Sequence, residues 1–212
     1  MPRFGSIGGR TDIGVDMRII GITGGVGAGK SRVLEYIADT YNCEIVLADD
    51  VGNEIKEPGE KCYEEIVALL GREILDATGH IDRKKMADAI FADDELLEKV
   101  NAIIHPAVIE RIRQKADAAS RKGKCDYFFI EAALLIECGF NDYVDSMWYI
   151  YARPEVRRKR LKDSRGYSDE KIDMIMNSQL DDEAFRAGSD VVIDNSDDFE
   201  ETKWQIRTIL TN

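Results

Sequence analysis

Gly24-Gly25-Val26-Gly27-Ala28-Gly29-Lys30-Ser31 satisfies G-x-x-x-x-G-K-[ST]. Glycines let backbone N–H groups turn inward around phosphates, and a helix starting near Gly29 adds the positive end of its dipole. Lys30 is expected to reach the β and γ phosphates of a nucleoside triphosphate. Ser31 offers a hydroxyl where such loops hold Mg²⁺. Two acids stand where phosphoryl transfer could use them. Asp49, with Asp50, follows an apolar run and suits a general base for an attacking hydroxyl, or else a helix cap. Glu131 ends another apolar run, where it would contact Mg²⁺ or serve as an ordinary strand-end carboxylate. Glu137 is a further acid, placed to contact an acceptor or cap a turn.

A third group is basic. Arg153, Arg157, Arg158, Lys159, Arg160, Lys162 and Arg165 crowd into one segment of a chain whose formal net charge is −12. Pro154 suits the first position of a helix that would put Arg157 and Arg160 on one side, and Gly166 suits its end. Either the segment is a solvated face, or it is an Arg-rich lid over a triphosphate that stabilises transferred charge. The acidic balance argues against general nucleic-acid binding, which depends on many cations meeting many phosphates. No apolar run approaches the roughly 18 residues that would span a bilayer. Cys43, Cys62, Cys125 and Cys138 form no C-x-x-C pair, so they suggest packing thiols in a reducing cytosol rather than zinc or redox chemistry.

The elements that must position these groups are legible as alternating patterns. Arg18–Thr23, 44–48, Tyr127–Glu131, 147–151 and Val191–Asp194 read as buried strands, with Phe128, Phe129 and Trp148 as core. Strands separated by helical patterns predict an α/β fold with a five-stranded parallel sheet between helical layers and a ligand site beyond the strand carboxyl ends. Val33, Leu34, Ile37 and Ala38 form the stripe of the first helix. From 58 to about 123 the pattern is helical throughout, which predicts a substrate-binding insertion. His105-Pro106 reads as the entry to a new helix within it. Asp76-Ala77-Thr78-Gly79 reads as a turn. Residues 1–16 are set aside as a tail or start artefact, which leaves 17–57 and 124–212 as the kinase core, with its lid at about 154–186.

Taken in order, these residues resemble the dephospho-CoA kinase family. The match runs from Ile22-Thr23 and the loop through Ala48-Asp49, Glu57-Pro58-Gly59, Ile90-Phe91, Asn101 to His105-Pro106, Leu134-Leu135-Ile136-Glu137, Lys159-Arg160, Gln179 and Ile193-Asp194-Asn195. The resemblance implies a P-loop NTPase fold, ATP and Mg²⁺, a cytoplasmic address, and phosphorylation of the ribose 3′-hydroxyl of dephospho-CoA, the last step of coenzyme A synthesis. It puts Asp49 at the catalytic base, Gly25 and Gly27 to Arg32 (Gly27, Ala28, Gly29, Lys30, Ser31, Arg32) at the ATP contacts, Arg160 at a lid arginine, and the helical insertion at the CoA moiety. Three departures are Leu47 for a usual acid, Arg32 for Thr and Ala133 for Pro. The second lid arginine is also displaced. Ser164 holds its spacing and Arg165 follows, so Arg165 would serve only if the helix unwinds near Gly166. Leu180 to Phe185 is acidic for a segment beside phosphates. Alternative readings are a P-loop kinase for a nucleoside, nucleotide or sugar acid, and a non-catalytic nucleotide switch that docks a partner. Oligomeric state is not legible.

Overall fold

The computed structural model describes residues 17–91, 93–133, 135–136 and 139–211. The N-terminal tail reading and Glu137 fall outside them. Chain order is β1 (Arg18–Thr23), α1 (Lys30–Thr40), β2 (Cys43–Leu47), α2 (Ala48–Glu54), α3 (Lys61–Leu70), α4 (Arg83–Ile90) and α5 (Asp94–Lys122), followed by β3 (Tyr127–Glu131), β4 (Ser146–Tyr151), α6 (Pro154–Arg165), α7 (Asp169–Asn177), α8 (Asp182–Ala187), β5 (Val191–Asp194) and α9 (Phe199–Thr211). The sheet is five-stranded and parallel, in the order β2-β3-β1-β4-β5.

The chain forms two compact units. Of the described residues, one unit holds those up to Ile45 together with those from Ala119 onward, and the other holds those from Val46 to Ala118. In the first unit, β1 lies between β3 and β4, with Ile20 opposite both Phe129 and Ser146 and Ile22 opposite Trp148. Alternate residues of these strands, Ile20, Ile22, Phe129, Trp148, Ile150 and Ile193, pack with Val33, Leu34 and Ile37 of α1 and with Phe199, Ile206 and Leu210 of α9. Each of these side chains is buried, and apolar area removed from water is worth about 25 cal/mol per Å². On the opposite face Phe185 of α8 stacks on Tyr149 at 4.7 Å between centroids.

The second unit is helical. Its buried apolar residues include Val51 of α2 and Ile55 after it, Cys62, Ile66 and Leu70 of α3, Ile74, Met86 of α4, and Val100, Ile112 and Ala116 of α5. Asp76–Gly79 is a turn, as its composition indicates. The Asp76 carboxylate accepts from the Thr78 and His80 amides and the Thr78 hydroxyl, and Gly79 adopts φ 87° before Ile81 bridges back to Leu75. One expectation is corrected here. His105-Pro106 starts no helix, because α5 runs for 29 residues straight through Pro106. A mid-helix proline costs about 3 kcal/mol, and the buried Val100, Ile112, Ala116 and Ala119 along the same helix outweigh that.

Candidate active site

The loop between β1 and α1 is built by glycines that nothing else could replace at two points. Gly24 has φ 147°, and a Cβ there would lie 2.5 Å from the Ile150 carbonyl oxygen of β4. Gly29, at φ 92°, would drive a Cβ to 2.4 Å from Asn195 Nδ2. Both positions demand a left-handed or extended backbone without a side chain. The Ala28 amide closes the turn on the Gly25 carbonyl at 3.1 Å. Ser31 stands exposed in the first turn of α1.

Lys30 folds over this loop. Its Nζ donates to the Gly24 carbonyl at 2.7 Å and lies 3.6 Å from Glu131 Oε1, with both side chains mostly shielded from water. The structure therefore brings together the loop lysine and the strand-end acid that the sequence singled out. Mg²⁺ prefers hard oxygen donors and commonly keeps waters and substrate phosphates as ligands. The Ser31 hydroxyl and the Glu131 carboxylate are such donors. Among the described residues no cluster of three or more His, Cys, Asp or Glu forms a cage. That donor set fits an ion shared with the nucleotide.

Arg157 and Arg160 of α6 approach the loop from its carbonyl side. Arg157 Nε donates to the Val26 carbonyl at 2.8 Å, and its NH2 donates to Gln179 Oε1 at 3.1 Å. The same Gln179 oxygen accepts the Val26 amide at 2.9 Å. Arg160 donates to the Ala28 and Asn195 carbonyls at 3.1 and 2.8 Å. Burial pushes both guanidinium pKa values down, and neighbouring Arg32 adds to the effect at Arg160. Hydrogen bonds from charged groups are worth about 1.5–3 kcal/mol each, so this side of the loop is held firmly. Asn195, buried after β5, donates to the Ala28 carbonyl at 2.7 Å and accepts from Thr202 at 3.0 Å. Arg32 lays its guanidinium 4.0 Å above the Phe199 ring.

Arg165 is not drawn into these contacts. α6 stays helical through Arg165, Gly166 caps it in the left-handed conformation with its amide on the Lys162 carbonyl, and the Ser164 hydroxyl bonds back to Arg160. The Arg165 guanidinium is exposed, 5.9 Å from the Tyr167 ring. The acidic run after Leu180 has local partners. Asp181 caps α8 through the Ala184 amide, while Asp182 accepts from the Tyr149 hydroxyl and Arg186. Tyr149 is consequently raised well above an ordinary phenol, by burial first and by Asp182 second.

Asp49 belongs to the second unit, exposed in the first turn of α2. The N-cap is Leu47, and no side chain caps the helix, so the Asp49 carboxylate is not spent as a cap. Sequence reading gave Gln179 and Asn195 only as members of a resemblance and gave Arg157 only as part of the basic segment, on one side of its helix with Arg160. Nothing in the local pattern announces that a glutamine between two short helices ties the loop to α6.

A sequence profile of dephospho-CoA kinase matches residues 18–201. The chain belongs to the dephospho-CoA kinase family. A dephospho-CoA kinase from Carboxydothermus hydrogenoformans is 35% identical over 192 residues, covering 91% of this chain and 92% of the relative. Among solved structures, one from Thermus thermophilus superposes with a TM-score of 0.76 at 25% identity, covering 92% of this chain and 97% of the other. The fold is shared also with a dephospho-CoA kinase from Campylobacter jejuni, with a TM-score of 0.68 at 21% identity over 91% of this chain and 95% of the other. The family span takes in the loop, Asp49, Glu131, Arg157, Arg160, Gln179 and Asn195.

Proposed function

We propose that this member of the dephospho-CoA kinase family transfers the γ-phosphoryl group of ATP to the ribose 3′-hydroxyl of dephospho-CoA, with Asp49 as the general base. The observation that carries the reading is the loop of Gly24 to Ser31, with Lys30 over it and Glu131 beside Lys30. The loop amides and Lys30 bind and orient the triphosphate, with Lys30 exchanging the Gly24 carbonyl for phosphate oxygen. Mg²⁺, when bound, offsets phosphate charge, and Ser31 and Glu131 would hold it. Asp49 accepts the proton from the 3′-hydroxyl as its oxygen attacks the γ-phosphorus and the bond to the β-phosphate oxygen breaks, giving ADP and coenzyme A. Arg157 and Arg160 act first by fixing the loop's shape. Arg160 and Arg165 are assigned to charge stabilisation on transfer, Arg165 only in a state in which it leaves its place beside Tyr167. The helical insertion receives the CoA moiety.

We place the reaction in the cytoplasm, supported by the free thiols of Cys43, Cys62 and Cys125. No helix among the described residues is long and apolar enough to cross a membrane. The net charge of −12 supports small-molecule rather than nucleic-acid partners.

The test is Asp49→Asn. Nucleotide titration should give an ATP affinity close to that of the parent, while turnover falls by at least about a hundredfold, the scale of general-base catalysis. Unchanged turnover would remove Asp49 from the mechanism.

A further inference from the structure

The cations of α6 and its N-cap differ in what they meet. Arg153 pairs with Asp197 and Glu155, Arg158 with Asp173 and Asp169, and Lys162 with Asp169. Lys159 and Arg165 stand exposed, where water solvates the charge. Arg157 and Arg160 are half-buried against the phosphate loop and donate to neutral oxygens. Arg160 spends both terminal nitrogens on carbonyls, NH1 on Ala28 and NH2 on Asn195. Arg157 does not. Its Nε is fixed on the Val26 carbonyl at 2.8 Å and its NH2 on the Gln179 carboxamide oxygen at 3.1 Å, while NH1 has no hydrogen-bond partner among the described residues.

The loop itself sets where that spare nitrogen stands. The α6 backbone packs on Gly27, where a Cβ would come within 2.9 Å of the Arg157 carbonyl oxygen. The Arg157 guanidinium lies against Gly25, where a Cβ would strike both terminal nitrogens. Gly25 takes no positive φ, so its missing side chain accommodates the guanidinium rather than an unusual backbone. Lys30 bonds the Gly24 carbonyl at 2.7 Å, and the lysine of such a loop reaches the β and γ phosphates. The reacting end of a triphosphate therefore lies at the Gly24–Gly25 side of the loop, beside Arg157. Asp182, the carboxylate within electrostatic reach of Arg157, is taken by the Tyr149 hydroxyl and Arg186. A half-buried cation met by neutral acceptors gains most from an added anion.

We propose, on the functional reading above, that Arg157, held by Gln179, is a catalytic arginine that donates through NH1 to the γ-phosphoryl group as it is transferred. The bond from the 3′-oxygen to the γ-phosphorus forms, the bond from the γ-phosphorus to the β-phosphate oxygen breaks, the hydroxyl proton goes to Asp49, and Arg157 keeps its own protons. Its part is to stabilise charge on the phosphoryl oxygens, which an aimed guanidinium does without reorganising at the moment of transfer. Gln179 is a positioning residue. Its oxygen accepts from Arg157 NH2 and, at 2.9 Å, from the Val26 amide, so guanidinium and loop do not shift separately. Two acceptors fix the plane of the fork, an arrangement that a lysine point charge does not copy. The charge that Arg165, beside Tyr167, does not bring to the loop is supplied about two turns earlier on the same helix.

The experiment compares nucleotide binding with turnover in the full chain. Calorimetric titration in the presence of Mg²⁺ uses ADP, which lacks the γ-phosphoryl group, and an ATP analogue with an imido β–γ bridge, which carries it. Neither titration needs an acceptor. Steady-state rates use ATP, Mg²⁺ and dephospho-CoA. The variants are Arg157→Met, which keeps an apolar stem, Arg157→Lys, which keeps the charge without the fork, Gln179→Leu, and Arg157→Met combined with Gln179→Leu, with thermal unfolding as the fold control. Arg157→Met should lower kcat about a hundredfold or more, the scale of removing one aimed donor. It should weaken the analogue about tenfold, the scale of a charged hydrogen bond, while ADP affinity stays within about threefold of the parent. Arg157→Lys should fold and still lose about tenfold in kcat. Gln179→Leu should lower kcat in the same sense, and adding it to Arg157→Met should cost little more, as expected of two groups that act as one. Equal losses of ADP and analogue affinity would reduce Arg157 to a shaper of the loop, and a parent-like kcat in either Arg157 variant would overturn its catalytic role. Both results would leave the kinase reading in place. Additive losses in the double variant would remove Gln179 as the positioner. Absence of coenzyme A from the parent protein would overturn the kinase reading, and the two titrations would still decide whether Arg157 faces the γ-phosphoryl group.

Discussion

At the scale of single residues, chemistry and support divide between different side chains. Lys30 is poised by contacts that include the Gly24 carbonyl and the Glu131 carboxylate, so Lys30→Ala should weaken both ATP affinity and turnover, read by nucleotide titration and steady-state rates. Unchanged ATP affinity would count against the loop assignment. The loop lysine and Glu131 were legible in sequence because motif and strand end fix them locally. Gln179 was not, because its role is made by contacts with Val26, 153 positions earlier in the chain, and with Arg157.

Elements explain why the loop holds its shape. α6 closes its carbonyl side through Arg157 and Arg160, and Asn195 links Ala28 to Thr202 of α9 within buried surroundings. Asn195→Ala removes a buried hydrogen-bond pair and should cost about 1–3 kcal/mol, visible as a lower thermal midpoint with a proportionate loss of ATP affinity. An unaltered midpoint would mean that Arg160 alone holds the Ala28 carbonyl. Strands were readable because short β-branched and aromatic runs between turn residues have few alternatives. All five appear within a residue of their expected ends. α5 was not, since Pro106 signals a break whose cost is local while the burial that overrides it is spread along 29 residues. For the same reason the regular geometry of α6 up to Gly166 keeps Arg165 apart from the loop, which its position after Ser164 foreshadowed.

For the whole molecule, a strongly acidic surface is joined to local stations where carboxylates are stabilised in the charged form. Hydrogen bonds from Thr78 hold Asp76 below the usual carboxylate range, Lys162 does the same for Asp169, and Arg153 for Asp197. A depressed pKa in the folded state adds stability that is present above the unfolded value and is lost as pH falls through the folded one. Thermal midpoints should thus be insensitive to these groups from neutrality to about pH 5 and should fall below about pH 4. The effect should be modest because all three groups are exposed. A midpoint that rises on acidification through this range would contradict their assignment.

The account's central claim is the identity of the acceptor, and the measurement that addresses it most directly is product identification. Purified protein incubated with ATP, Mg²⁺ and dephospho-CoA, beside nucleoside and no-acceptor controls, is analysed by mass spectrometry. Coenzyme A should form, with one ADP released per molecule, only where dephospho-CoA is supplied. ADP without a phosphorylated acceptor, or phosphorylation of the nucleoside in place of dephospho-CoA, would contradict it.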